Sequence, residues 1–113
     1  MNLQTLPGLF ISHGSPMLAL NPEQVGPALH RLSLNLPRPT AIIVMSAHWE
    51  SEVLEVNTSI RPETWHDFRG FPPELYELRY PAPGNPELAE QVLGLLANAG
   101  FSAHANSTRP RDH

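Results

Sequence analysis

Apolar positions along the 113-residue chain fall into short runs punctuated by proline and glycine. "LPGLFIS" (6–12), "AIIVMSA" (41–47) and "VLEVNTSI" (53–60) are runs of strand length. The second shows no alternation, which predicts burial on both faces, as in a parallel sheet. Helical spacing occurs twice. Val25, Ala28, Leu29 and Leu32 predict a helix over 22–35, with Asn21 as its cap, Pro22 in its first position and Glu23 at the positive end of its dipole. "NPELAEQVLGLLANAG" (85–100) repeats that start. Here Asn85 caps, Pro86 leads, Leu88, Val92, Leu95 and Leu96 form the apolar stripe, and Gly100 is the stop. "FSAHANS" (101–107) predicts a fourth strand. Between the third strand and the second helix lies "RPETWHDFRGFPPELYELRYPAPG" (61–84), read as a long loop; loops of that length in a small domain are usually functional.

The order β, α, β, β, loop, α, β predicts an α/β fold, a mostly parallel sheet with helices on both faces. No linker divides the chain, so residues 1–113 are expected to belong to one domain. With 41% hydrophobic and 16% charged residues the composition is globular. A formal charge of −4 gives no general attraction to nucleic acid or to an anionic membrane. No apolar run spans a bilayer, and "MNLQTLPGLF" lacks the basic start of a signal peptide. The absence of cysteine excludes disulfide and thiolate chemistry. The expected compartment is the cytoplasm.

Six histidines and thirteen prolines change the picture. Prolines at this density imply structured loops between short elements, and histidines in such loops suit metal ligation or proton transfer. His13 follows the first predicted strand and His48 the second. In open α/β sheets ligands bind at the carboxyl ends of strands, and two imidazoles there suit Fe(II) or Zn(II). For either histidine alone an ordinary loop role is the commoner one, and two at matching strand ends raise the case for a shared metal. Gly14 permits close backbone approach and Ser15 offers a hydroxyl, or both belong to a simple Gly-Ser-Pro turn. Trp49 is a candidate aromatic wall or a core residue, and Glu50 is read as a solvated charge. His66, beside Asp67, is a candidate base, ligand or substrate contact. His30 and His104 are read as structural or exposed. There is no Walker loop, no G-x-G-x-x-G, no H-E-x-x-H and no G-x-S-x-G.

Taken together, "LFISHGSPM", "IIVMSAHWE", "WHDFRGFPPELYELRYPAPGNPELA" and the final "DH" resemble the class III extradiol ring-cleavage dioxygenases, in particular the 4,5-DOPA extradiol dioxygenase branch. Four motifs in order cover nearly the whole chain. The resemblance implies an α/β catalytic domain with one divalent metal ion, Fe(II) or Zn(II), and a reaction that opens a small catechol with dioxygen. It implies that His13 and His48 are metal ligands, and that His113, in the family's "DHG" motif, is a candidate for substrate binding or acid–base work. Ser15, Trp49 and His66 are candidate substrate contacts. Family chains are more than twice as long, so the chain is expected to be the N-terminal part of a larger α/β domain, with the third ligand beyond residue 113. An incomplete domain exposes sheet edge, which favours association into oligomers. The alternative is a non-catalytic fragment with at most weak metal binding. A metal-dependent hydrolase fits less well, since no carboxylate-rich ligand set is visible.

Overall fold

Asn85 shows how directly local chemistry sets an element in this chain. Its side chain accepts a hydrogen bond from the Leu88 amide at 3.0 Å, and Pro86 occupies the first helical position, where a missing N–H costs nothing. The helix that follows runs Pro86–Asn98 and closes at Ala99, with Gly100 at a φ of 87° just beyond it. The computed structural model describes residues 4–113. The first three residues of the "MNLQTLPGLF" segment lie outside them.

The described elements are a 3₁₀ turn at Pro16–Ala19, then α1 (Val25–Leu34), β1 (Leu54–Asn57), β2 (Thr64–Trp65), α2 (Pro73–Glu77), α3 (Pro86–Asn98), β3 (Ala103–Asn106) and β4 (Arg111–Asp112). All strand pairing is parallel: β1 with β3, from Leu54↔Ala103 to Asn57↔Asn106, and β2 with β4, Thr64↔Arg111 and Trp65↔Asp112. The fold is therefore α/β with parallel strands. Among the described residues no helix is long and apolar enough to cross a membrane.

The chain divides into two units. One comprises Met1–Ile42 with Gly70–Leu78. In it α2 packs against the 3₁₀ turn, and Leu75, 2% exposed, is its buried anchor. The other comprises Ile43–Arg69 with Arg79–His113. In it α3 lies against β1 and β3, with Ala89 buried and Leu88, Val92, Leu93 and Leu96 half-buried. This is a β–α–β arrangement, since β1 and β3 run parallel and the chain between them carries α3.

Several expectations need correction. Residues 6–12 and 41–47 form no strand among the described residues. Far from being buried on both faces, the second run exposes its apolar side chains, Met45 at 98%; in the first, Phe10 is 100% exposed. A buried central strand needs neighbours about 4.8 Å away on both sides to take its N–H and C=O groups, and neither run has a ladder partner among the described residues. The pairing is accordingly two separate two-stranded ladders rather than one sheet. α1 starts at Val25 rather than residue 22, because Glu23 adopts a φ of 44°, which no right-handed helix contains; Asn21 therefore does not cap it, and Gln24 holds the cap position without a side-chain bond. Leu95 belongs to the solvent side of α3, 68% exposed, and Leu93 and Ala89 take its place on the packed side. The 61–84 segment is not all loop, since it contains β2 and α2.

Asn85→Ala is expected to lower stability by about 1 kcal/mol, and Asn85→Asp to retain most of it. Urea melts followed by helical circular dichroism check this.

Candidate functional site

The β2–β4 pairing carries the last residues of the chain to the aromatic, histidine-containing segment that follows β2. The Arg111 amide donates to Glu63 O at 2.8 Å, and register places Asp112 opposite Trp65. His113 then emerges beside Asp67 and Phe68, at the carboxyl ends of two parallel strands. Its ring meets Phe68 edge-on at 4.8 Å between centroids. The Asp67 amide donates to His113 Nδ1 at 3.3 Å. Asp112 Oδ1 lies 2.9 Å from the same nitrogen; it is buried and makes no hydrogen bond.

A turn at 46–49 brings the second histidine to this place. Ser46 Oγ accepts from the His48 amide at 3.1 Å and donates to Asp112 Oδ2, while the Trp49 amide closes the turn on Ser46 O at 3.1 Å. His48 Nδ1 pairs with Asp67 Oδ2 at 3.0 Å, and its ring lies 5.0 Å from that of His113, in an edge arrangement. His66 joins through Phe68, 5.7 Å between centroids, with Arg79 Nη1 at 3.4 Å from its Nε2. His48, His66 and His113 thus gather with Asp67, Asp112 and Phe68.

Trp49 faces the support of this cluster. Its indole Nε1 donates to Pro110 O at 2.7 Å, and the Arg109 guanidinium stacks on its ring at 4.1 Å. Arg109 Nη1 in turn bonds Glu55 Oε2 at 2.9 Å, and the Asn106 amide nitrogen donates to Glu55 Oε1 at 3.2 Å. The Arg109 hydrogen bond, followed by that of Asn106, holds the Glu55 carboxyl below its ordinary 4.5, against the opposing effect of burial.

His13 and Ser15 belong to the other unit. His13 is exposed and precedes Gly14, whose φ of 68° makes the bend. Ser15 Oγ accepts from the Met17 amide at 3.1 Å and so caps the 3₁₀ turn. His30 and His104 are exposed, as expected. Two clefts, of about 500 and 380 Å³, lie among residues 61–64 and 79–83; no histidine lines either.

What sequence reading missed here is the partnership of Ser46, Asp67 and Asp112 with the histidines. "WHDF" put Asp67 next to His66, and the adjacent pair was the natural reading, whereas the fold gives Asp67 to His48. The donor chemistry at His48 fits a metal ligand. A ligating imidazole commonly has its second nitrogen held by a carboxylate, which fixes ring orientation and leaves the other nitrogen for the ion, and Asp67 does this at Nδ1. Among the described residues no group of three or more His, Asp or Glu side chains converges so as to hold a metal ion.

Parallel strands, a crossover helix between β1 and β3, and histidines just after β2 and β4 define an α/β chain with a histidine cluster at strand carboxyl ends. Comparison with known proteins gives the family. Residues 7–113 match the family described as the catalytic LigB subunit of aromatic ring-opening dioxygenase, and the chain belongs to that family. It is 45% identical over 97 residues to a 4,5-DOPA dioxygenase extradiol of Escherichia coli (strain K12), covering 86% of this chain and 36% of that relative. With proteins of the same description from Beta vulgaris and Mirabilis jalapa it shares 44% and 35% identity, in each case covering 92% of this chain and 40% of the relative. The chain thus spans about two fifths of the length of these curated relatives.

Glu55→Gln tests the support. A carboxyl whose folded pKa is depressed adds stability above its unfolded value, and that stability is lost as pH falls through the folded one. The wild-type chain is therefore expected to lose stability on acidification below about 4.5. The variant is expected to be less stable at pH 7 and to show a flatter acid dependence. Thermal melts of both proteins from pH 7 to pH 3 measure the difference.

Proposed function

We propose that the chain forms part of the catalytic domain of a cytoplasmic extradiol dioxygenase, which opens the ring of a DOPA-like catechol with dioxygen at one divalent metal ion, Fe(II) or Zn(II). The observation that carries the reading is His48, with Nδ1 paired to Asp67 and its ring against His113, in a chain of this family. By the family motifs His13 and His48 would hold the ion. When bound, such an ion supplies positive charge that lowers the pKa of the catechol hydroxyls and makes the ring electron-rich.

The chain's own residues have distinct tasks. Asp67 orients His48 and raises its basicity as a ligand. His113 is the acid–base group. Its Nδ1 meets a donor, the Asp67 amide, and an acceptor, Asp112 Oδ1, so partners stand ready for the ring with or without a proton there. Phe68 meets both His113 and His66 edge to face and joins them in one aromatic group. His66 and Ser15 remain candidate substrate contacts. Trp49 acts through the support rather than as a wall, because its N–H is engaged and Arg109 covers its ring.

A second reading is a non-catalytic fragment. On that reading the 113 residues bind a metal ion weakly and turn over nothing by themselves.

The protein loaded anaerobically with Fe(II) and then given air and a catechol such as DOPA is expected to consume dioxygen and form a yellow ring-opened product. No dioxygen uptake with any catechol would sink the dioxygenase reading. Calorimetry with Zn(II) separates the second reading: His48→Ala is expected to abolish binding and Asp67→Asn to weaken it by about tenfold. Equal, weak binding in all three proteins supports the fragment instead.

A further inference from the structure

The turn that carries His48 receives little help from backbone pairing. The run before it, 41–45, belongs to no ladder, and the residues after it stay outside the sheets until β1 begins at Leu54. Side-chain clasps anchor it instead, and Arg109 makes two of them. Arg109 lays its guanidinium plane on the Trp49 indole at 4.1 Å. Its Nη2 donates to Glu50 O, immediately after that indole, and its Nη1 to Glu55 Oε2 on β1. Its own backbone is fixed as well, since its amide donates to Asn106 Oδ1 at 2.9 Å and its carbonyl accepts from Asn57 Nδ2 at 2.8 Å. Both asparagines sit at the ends of the paired strands β1 and β3. Four residues further along the chain from Arg109, His113 follows β4.

We infer that Arg109 is the positioning residue of the histidine cluster: it clamps the Trp49 turn to the β1–β3 ladder and so sets His48 against His113 and Asp67. The requirement is for arginine rather than for positive charge. Two N–H groups of one rigid plane reach two different acceptors while its face covers the indole. A lysine ammonium is a single compact charge and cannot do all three. Burial adds weight, because Arg109 and Glu55 are each less than one fifth exposed and the pair is correspondingly less screened than a surface ion pair. The inference rests on the reading of His48 as a site group. It concerns ring geometry in the protein without metal or substrate, so the outcome of a ring-cleavage assay leaves it untouched.

NMR of the chain and its Arg109→Gln and Arg109→Lys variants tests this. The unsubstituted chain is expected to show cross-relaxation between His48 and His113 ring protons, and a Trp49 indole N–H signal shifted by its bond to Pro110. In both variants the His48–His113 cross-peaks are expected to vanish and the Trp49 signal to move toward the free-indole position. Cross-peaks between β1 and β3 are expected to persist. Absence of the His48–His113 cross-peaks from the unsubstituted chain would overturn the inference. So would their survival in Arg109→Gln. Survival in Arg109→Lys alone would show that charge suffices and overturn the requirement for the guanidinium. Loss of the β1–β3 cross-peaks in either variant would make Arg109 a folding residue rather than a positioning one, and overturn it too.

Discussion

Two residues of parallel ladder hold the histidine cluster together. β2 and β4 are each only two residues long, yet their register decides that Asp112 and His113 arrive beside Asp67 and Phe68. Everything else at the cluster is built on that contact. Ser46 reaches Asp112, His48 reaches Asp67, and the two imidazoles then face each other. A ladder this short contributes few backbone hydrogen bonds, and each bond gives about 1 kcal/mol net in water. The pairing therefore depends on the side-chain clasps around it, among them Arg111 Nη1 to Ala82 O and Trp49 Nε1 to Pro110 O.

The two ladders divide the labour in the unit that contains them. β1 and β3, with α3 against them, form the packed scaffold, and Asn57 and Asn106 at their ends turn outward to fix residues 108–109. The β2–β4 ladder and the 46–49 turn carry the histidine cluster. Arg109 and Glu55 link the scaffold to the turn that holds His48. Sites held by side chains from a rigid frame keep their geometry better than sites left to loops, and a misplacement of about 1 Å can cost a hundredfold in rate. A charged clamp at this junction is consistent with that demand.

The two "NPE" sequences show how far local signals reach. At 85–87 the asparagine caps, the proline leads, and the helix follows as expected. At 21–23 the same three residues fail, because Glu23 takes a left-handed conformation and the helix waits for Val25. The local free energies at stake are about 1 kcal/mol, small enough for the surrounding fold to override. The apolar runs at 6–12 and 41–47 make the complementary point. Their composition favours a buried strand, but a strand exists only where another chain segment takes its hydrogen bonds.

The sequence by itself determined the α/β class, the course of α3 with its Asn85 cap, the positions of β1 and β3 to within a few residues, and the motifs in which His13, His48, His66 and His113 occur. These are local properties of spacing, capping and residue type. Only the tertiary structure decided the partners: Asp67 for His48, Asp112 for Ser46, and Arg109 for Trp49 and Glu55. Those contacts join residues 19 to 66 positions apart. No periodicity encodes such pairs. They follow from strand register, which depends on the whole packed unit rather than on any short stretch of it.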